Sequence, residues 1–238
     1  RPGGKPKTEK FQWGKTPLKC TTEYKYLGVL FSQSGSSLPT LKDFIARGRM
    51  ALAALWPMFI KAKLPLSKTH FALFNSMVKS VVTYGAGIWG LQHLGEIDKL
   101  QHYFVKKLLR LPKNTPAFFL NLEFKLDKIS VSVVRSALLL WLRCLQSYAG
   151  NYANDLLKNC YVDMWNEKPE DCKYSWSSQL FSVIQNHIPE ELWVSKDPVT
   201  LRAAIPTIIS KYKQALVQSD VLKMQESTYF PMYKRIKT

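Results

Sequence analysis

The chain has 238 residues, of which 46% are hydrophobic and 13% aromatic. This size and composition are typical of one large folded domain or two small ones, and they exclude wholesale disorder. The charge is unusual, because 34 Lys and Arg face 17 Asp and Glu, a net charge of +17. The excess lies before residue 151: residues 1–150 hold 23 basic and 7 acidic side chains, whereas residues 151–238 hold 11 and 10. This distribution is typical of a polyanion-binding half joined to a neutral half.

The sequence also argues against membrane-spanning and disulfide-stapled proteins. The longest apolar stretch, residues 131–145, contains two arginines and two serines, so we expect no membrane span. The four cysteines are too few and too scattered for a disulfide scaffold, which favours a nuclear or cytoplasmic protein that is not secreted. The chain begins at Arg1 without an initiator Met or a signal-peptide core, so we expect a fragment or an excised domain.

Strand-forming residues are confined to the N-terminal part of the chain. Residues 11–13 and 23–32 are rich in Tyr, Phe, Val and Leu, as strands are. We interpret residues 23–32 as one strand, closed by a turn over residues 33–37. In a single strand, Lys25, Leu27 and Val29 would share one face.

After residue 37 the spacing of apolar residues becomes helical. We predict a first helix over residues 41–60 that Pro57 kinks or splits, and a third over residues 97–109 that stops before Pro112. The remaining predictions are a helix capped by Ser67, a short helix capped by Thr115, a long helix from Asp127 to Gly150, and helices near 152–165, 177–186 and 198–223. The predicted fold class is therefore mainly α, with a short N-terminal β-hairpin or strand piece, a helical bundle and a smaller helical C-terminal region.

No catalytic or metal-binding constellation stands out in this sequence. Two-metal phosphoryl transfer needs carboxylates a few ångströms apart, and there is no Asp-Asp pair anywhere. The close acidic pairs lie beside predicted helix starts or loops, where carboxylates are usually solvated or face a helix dipole; they are Glu96/Asp98, Glu170/Asp171 and Glu190/Glu191. We therefore predict no catalytic residue, no metal site and no cofactor in this chain.

Two weaker metal-dependent alternatives remain open. Cys160, Cys172 and His187 are candidate zinc ligands, although zinc ligands usually come as closely spaced pairs. Asp155 or Asp163, followed by the Asp171-Cys172-Lys173 run, has a nuclease-like pattern that is common by chance.

The positive signal is the alternation of basic and aromatic side chains in the first half. Basic side chains neutralise phosphates, and aromatic rings stack on bases or sugars. Gly28 permits the close approach of a nucleic-acid backbone, although a bulge or a packing contact explains it equally well. A single Lys is often part of a solvated helix face, so the argument depends on the whole set. The predicted nucleic-acid-binding residues are Lys25, Tyr26, Gly28, Arg47, Arg49, Lys61, Lys63, Lys106, Lys107 and Arg110.

Three segments, taken in order, resemble one protein family. They are Lys25-Tyr26-Leu27-Gly28-Val29, the Thr83–Trp89 segment TYGAGIW, and the Lys106–Pro112 segment KKLLRLP. Together they resemble the C-terminal part of the reverse transcriptases of non-LTR (LINE-type) retrotransposons. In that family the first segment belongs to the primer grip that closes the palm, and the other two belong to the thumb.

The resemblance covers residues 10–150 and implies a division of the chain. Residues 1–37 would be the end of the palm with the primer-grip strands, 38–150 a helical thumb, and 151–238 a helical tail. The family's catalytic Asp-Asp box lies upstream of the primer grip, so this chain would carry no polymerase activity by itself. Mg²⁺ is expected only with that palm. The implied partners are RNA and DNA, as a template–primer duplex, and the upstream palm of the same polyprotein, with no membrane.

Two other functions remain compatible with the sequence. The chain could be a stand-alone, non-catalytic RNA- or DNA-binding domain derived from a retrotransposon. It could also be a structural helical domain whose charge serves solubility or partner docking. Salt-dependent binding separates the two nucleic-acid hypotheses from the structural one.

Overall fold

A computed structural model describes residues 11–19, 21–61, 68–149 and 175–227, together with residues 233 and 235. This part of the chain is mainly helical and carries two small antiparallel hairpins, which confirms the predicted fold class. The strands are β1 (Gln12–Trp13), β2 (Thr16–Pro17), β3 (Glu23–Tyr26) and β4 (Val29–Ser32). The helices are α1 (Leu38–Lys61), α2 (Lys68–Leu73), α3 (Ser80–Val82), α4 (Ala86–Trp89), α5 (Leu94–Leu108), α6 (Ala117–Phe124), α7 (Ile129–Ala149), α8 (Trp176–Ile184), α9 (Glu190–Ser195) and α10 (Pro198–Glu226).

The prediction of a single strand over residues 23–32 is wrong. The chain reverses at Leu27 and Gly28, so that Tyr26 pairs with Val29 and β3 and β4 form a two-residue hairpin. Both turn residues have positive φ, +46° at Leu27 and +83° at Gly28, as a type I′ turn requires. Val29 shares a face with its partner Tyr26, the neighbour of Lys25 in the strand. Lys25 and Val29 therefore lie on opposite faces of the hairpin.

Helix α1 continues through Pro57 to Lys61, so the expected split is wrong. Pro57 is exposed, in the last turns of the helix. Between α2 and α3 the chain forms a π-helical segment, Phe74–Lys79, and α2, this segment and α3 follow one another without interruption. Ser67, the predicted cap of α2, lies outside the described residues.

Two predicted caps, Thr115 and Asp127, are wrong. The short helix α6 begins after Pro116, which is itself the N-cap residue, while the Thr115 hydroxyl donates to the Pro112 carbonyl at 2.8 Å. At the start of α7, the Asp98 carboxylate accepts hydrogen bonds from the Ser130 amide and hydroxyl, both at 2.8 Å. Asp127 instead pairs with Lys213 at 2.7 Å. A carboxylate from α5 therefore serves the N-terminus of α7, which no local pattern indicates.

In the last third, α8 and α10 agree with the predicted helices, whereas the predicted helix near 152–165 lies outside the described residues. Asp197 caps α10 by accepting from the amides of Val199 and Thr200, and the helix runs through Pro206. The short helix α9 was not predicted.

The apolar side chains form two adjoining cores, and α7 contributes to both. One core joins α7 to α8, α9 and α10 around Trp141. The other joins α7 to α1, the α2–α3 region and α5 around Phe44 and Phe104. The segment Ile129–Gln146 of α7 is long and apolar enough to cross a membrane, but 61% of it is buried inside the structure. Packing on both sides accounts for its apolar character. The division at residue 150 stays a prediction.

Candidate nucleic-acid interface

The turn of the β3–β4 hairpin is fixed to helix α1 by Arg47. The Arg47 guanidinium donates to the Gly28 carbonyl at 2.8 Å and also to the Asp43 carboxylate one helical turn earlier. The Lys25 ammonium lies 3.7 Å from the same carboxylate. Three predicted binding residues, Lys25, Gly28 and Arg47, are therefore brought together. Asp43 was missed, although the spacing of an acid four residues before Arg47 on a helix is a recognisable ion-pair pattern.

Aromatic stacking connects this anchor to the TYGAGIW segment. The Arg47 guanidinium carbon lies 4.7 Å from the centroid of the Phe44 ring. The Trp89 ring stacks on Phe44 at 5.1 Å with an interplanar angle of 3°, and the Trp89 indole donates to the Tyr84 carbonyl at 3.1 Å. Gly85, in the left-handed conformation at φ +61°, lets the chain turn between these two aromatics. The conformation of this segment is thus supported by packing on α1.

A second group of basic and aromatic side chains lies in a groove between α1 and α5. The Lys107 ammonium lies 4.3 Å from the centroid of the Trp56 ring, a cation–π contact across the two helices. Beside it a cavity of about 280 Å³ is lined by Arg49, Leu52, Ala53, Tyr103 and Lys107. Within the described ranges, neither Arg49 nor Lys107 forms an ion pair with a carboxylate, so both charges are available to an anion. We call this the α1–α5 groove.

The other predicted basic residues differ from one another in exposure and in hydrogen bonding. The Lys106 ammonium donates to the Lys113 carbonyl at 2.7 Å, and partial burial lowers the pKa of Lys106. Arg110 is exposed and has φ +53°, directly after α5. Lys61 is exposed at the end of α1, away from any described partner. Lys63 lies outside the described residues.

The end of α5 has the hydrogen bonds of a Schellman motif. The Leu111 amide donates to the Lys106 carbonyl at 2.8 Å, and the Arg110 amide donates to the Lys107 carbonyl at 3.3 Å. Glycine usually occupies the left-handed position of this motif, because a side chain there is strained. Arg110 holds that position here, which keeps a cation at the end of the helix at a cost in backbone strain.

Buried polar groups connect α5 and α6 to α10, and no local sequence pattern indicates this network. His102 Nε2 bonds to Asn121 Oδ1 at 2.9 Å, and Asn121 Nδ2 donates to the Asp220 carboxylate at 3.0 Å. Lys128 pairs with the same carboxylate at 2.8 Å. Burial lowers the pKa of His102, and it raises the pKa of Asp98 one turn earlier on α5. Helix α10 is thereby joined to the basic half of the molecule.

Three of the described carboxylates are engaged by protein groups. Asp98 bonds to Ser130, Asp220 pairs with Lys128, and Asp43 pairs with Arg47. No group of three His, Cys, Asp or Glu side chains in this part of the chain is arranged to hold a metal. The Cys160, Cys172 and Asp171 alternatives lie outside the described residues.

No protein-family model, curated protein or solved structure matches this chain.

Proposed function

We propose that the chain is the primer-grip and thumb portion, with the following tail, of a LINE-type RNA-directed DNA polymerase. In this proposal it binds the template–primer duplex through the phosphate backbone, and catalysis belongs to an upstream palm. Contacts of this kind position a duplex without reading its sequence.

One observation carries the proposal: the three motif segments all contact basic or aromatic residues of α1. Gly28 of the first segment bonds to Arg47, Trp89 of the second stacks on Phe44, and Lys107 of the third lies over Trp56. These segments are separated by many residues in the sequence, yet one helix gathers them. Such an assembly is what a primer grip packed on a thumb needs.

The charge distribution supports the same function. The α1–α5 groove carries Arg49 and Lys107 without a described carboxylate partner, beside the exposed Tyr103 ring. Each phosphate that a cation neutralises releases counterions, so binding should weaken steeply with salt.

The test is fluorescence anisotropy with a labelled RNA–DNA duplex across a range of salt concentrations. Arg49→Gln combined with Lys107→Gln removes two charges and keeps most of each side-chain stem. We expect this double variant to bind at least about ten-fold more weakly and to flatten the log–log salt slope by about two, as for two lost phosphate contacts. The matched control is Arg202→Gln with Lys211→Gln, two exposed charges on α10, which should leave affinity within about two-fold.

A salt slope near zero for the unchanged protein would contradict nucleic-acid binding altogether and favour the structural alternative. Equal losses in the two double variants would place the binding surface elsewhere. The palm is tested independently, by reading the genomic sequence before Arg1 for an in-frame Asp-Asp box. Its absence there would favour the stand-alone binding domain.

A further inference from the structure

Three aromatic rings share the outer face of the β3–β4 hairpin. Tyr24 and Tyr26 are two residues apart on β3, and Phe31 pairs directly with Tyr24 across the hairpin. Residues at these positions lie on the same face of a two-stranded sheet. All three side chains are more than half exposed, at 64%, 56% and 55% respectively. We call Tyr24, Tyr26 and Phe31 the aromatic platform.

The opposite face of the hairpin is held by α1. Lys25 reaches the Asp43 carboxylate, and the Thr40 hydroxyl donates to the Leu30 carbonyl. The turn is fixed by Arg47. Val29, which pairs with Tyr26 on the platform face, packs against the core, so that the turn end of this face is also anchored. The three platform rings remain more than half exposed, and none of them is stacked on another ring of the described part of the chain.

The chemistry of the platform favours unpaired nucleic-acid bases. Every base presents a π-face, and stacking on aromatic side chains is the usual way in which proteins hold single strands. Bases inside a duplex are already stacked on one another and offer no free face. The hairpin region, residues 11–32, holds three basic side chains and one acidic one, a charge balance that complements a polyanion.

We propose that the aromatic platform binds two or three unpaired bases of single-stranded RNA or DNA. The proposal rests on the nucleic-acid function proposed above, but it concerns a different ligand, because duplex phosphate contacts do not recognise free bases. Stacking on the platform would hold a single strand next to the duplex-binding surface.

The experiment compares three labelled oligomers of about 15 nucleotides, the length range that single-strand sites cover. They are oligo-dT, oligo-rU and an abasic strand with the same phosphates but no bases. The variant carries Tyr24→Thr, Tyr26→Thr and Phe31→Thr, because Thr keeps strand propensity while removing the rings. We expect its affinity for oligo-dT and oligo-rU to fall by at least about ten-fold, with the abasic strand bound as before. The matched control, Phe124→Ala, removes an exposed ring on α6 and should change none of the three affinities.

Tyr24→Phe combined with Tyr26→Phe keeps all three rings and should bind the base-carrying oligomers normally. A loss confined to oligo-rU or to oligo-dT would identify which type of strand is the ligand. Equal weakening for the abasic strand, or no weakening for any strand, would overturn the proposal. Self-association in sedimentation that the Thr variant abolishes would also overturn it, since a second copy would then cover the rings. Duplex binding by the unchanged protein, measured in parallel, separates the two proposals. If the protein does not bind the duplex but still binds the base-carrying oligomers more tightly than the abasic strand, only the duplex function is contradicted.

Discussion

The guanidinium of Arg47 donates a hydrogen bond to the carbonyl of Gly28 at 2.8 Å, joining the middle of a long helix to the tip of a hairpin. The same guanidinium binds Asp43 and lies over the Phe44 ring. A small two-stranded hairpin is only marginally stable by itself. The position of β3–β4 therefore depends on its contacts with the rest of the molecule, of which the Arg47 bond holds the turn.

Arg47→Gln should loosen the hairpin without unfolding the helices. The substitution removes a charge-assisted hydrogen bond, which typically contributes about 1.5–3 kcal/mol. We expect amide hydrogen exchange to accelerate in β3 and β4 while helical circular dichroism stays unchanged. Unchanged exchange in the hairpin would show that other contacts hold it.

Leu27→Asn should stabilise the protein. Leu27 has φ +46° and is 72% exposed, so its backbone is strained and its side chain contributes little burial. Asn tolerates the left-handed region and is favoured in type I′ turns, so we expect a gain of about 0.5–1 kcal/mol in urea unfolding. Gly28→Ala should instead lower the free energy of unfolding in the same measurement, because a side chain is strained at the Gly28 φ of +83°. A destabilised Leu27→Asn would mean that the Leu side chain has packing that outweighs the strain.

Gly87→Ala and Gly95→Ala should shift stability in opposite directions. An added Cβ at Gly87 would lie 2.9 Å from the backbone of Ser136 and Ala137 on α7, whereas one at Gly95 would meet nothing within 4 Å. Backbone atoms cannot move aside cheaply, so Gly87→Ala should cost about 1–3 kcal/mol. Gly95→Ala should gain up to about 1 kcal/mol from helix propensity. Two gains of similar size in thermal unfolding would show that α4 and α7 are not in close contact.

Arg110→Gly should separate stability from binding. Relieving the left-handed strain at the end of α5 should stabilise the protein by about 1 kcal/mol. If Arg110 contacts a phosphate, the same change should weaken nucleic-acid binding and flatten the salt slope by about one. Chemical unfolding and anisotropy on the same preparation give both values. A stabilised variant with unchanged affinity would remove Arg110 from the binding surface.

His102 should make the protein less stable in mild acid. Burial lowers its pKa from the ordinary value of 6.5, so the unfolded chain takes up a proton at higher pH than the folded one. The contribution of neutral His102 to the free energy of unfolding is fully present above pH 6.5, and it is lost as the pH falls through the lower folded-state pKa. His102→Gln keeps a donor to Asn121 but cannot titrate. We expect it to reduce, though not abolish, the loss of stability between pH 7.5 and 5.5, because burial also lowers the pKa of His93 and His187. An identical pH profile in the two proteins would contradict this role.

Helix positions followed from the sequence because the apolar stripes are long and regular. Buried Ile97, Leu100 and Phe104 keep helical spacing, and α5 ends before Pro112 as expected. The turn at Leu27 and Gly28 was not predicted, because Leu holds a position where Asn or Gly is the usual signal. A Pro inside a helix is normally disruptive, yet Pro57 lies in the last turns of α1, where few backbone bonds depend on it.

The candidate interface could be predicted only in part, since charge and aromatic content identify residue types but not their neighbours. Lys106 is predicted to bind a phosphate, and no local pattern indicates that its ammonium also donates to the Lys113 carbonyl. The cap of α7 was assigned to Asp127 because local signals favour the nearest acid, but Asp98 arrives from α5. Contacts between residues far apart in the sequence leave no mark in its local pattern.

The helix α7 has one side in each hydrophobic core, with Val133 in the core around Phe104 and Trp141 in the core around α8–α10. Neither core can lose its packing without uncovering an apolar side of the same helix. The neutral C-terminal half and the basic N-terminal half should therefore melt as a single cooperative unit. A destabilising substitution deep in α10 would then reduce the folded population, and with it the binding proposed for α1, without touching that surface.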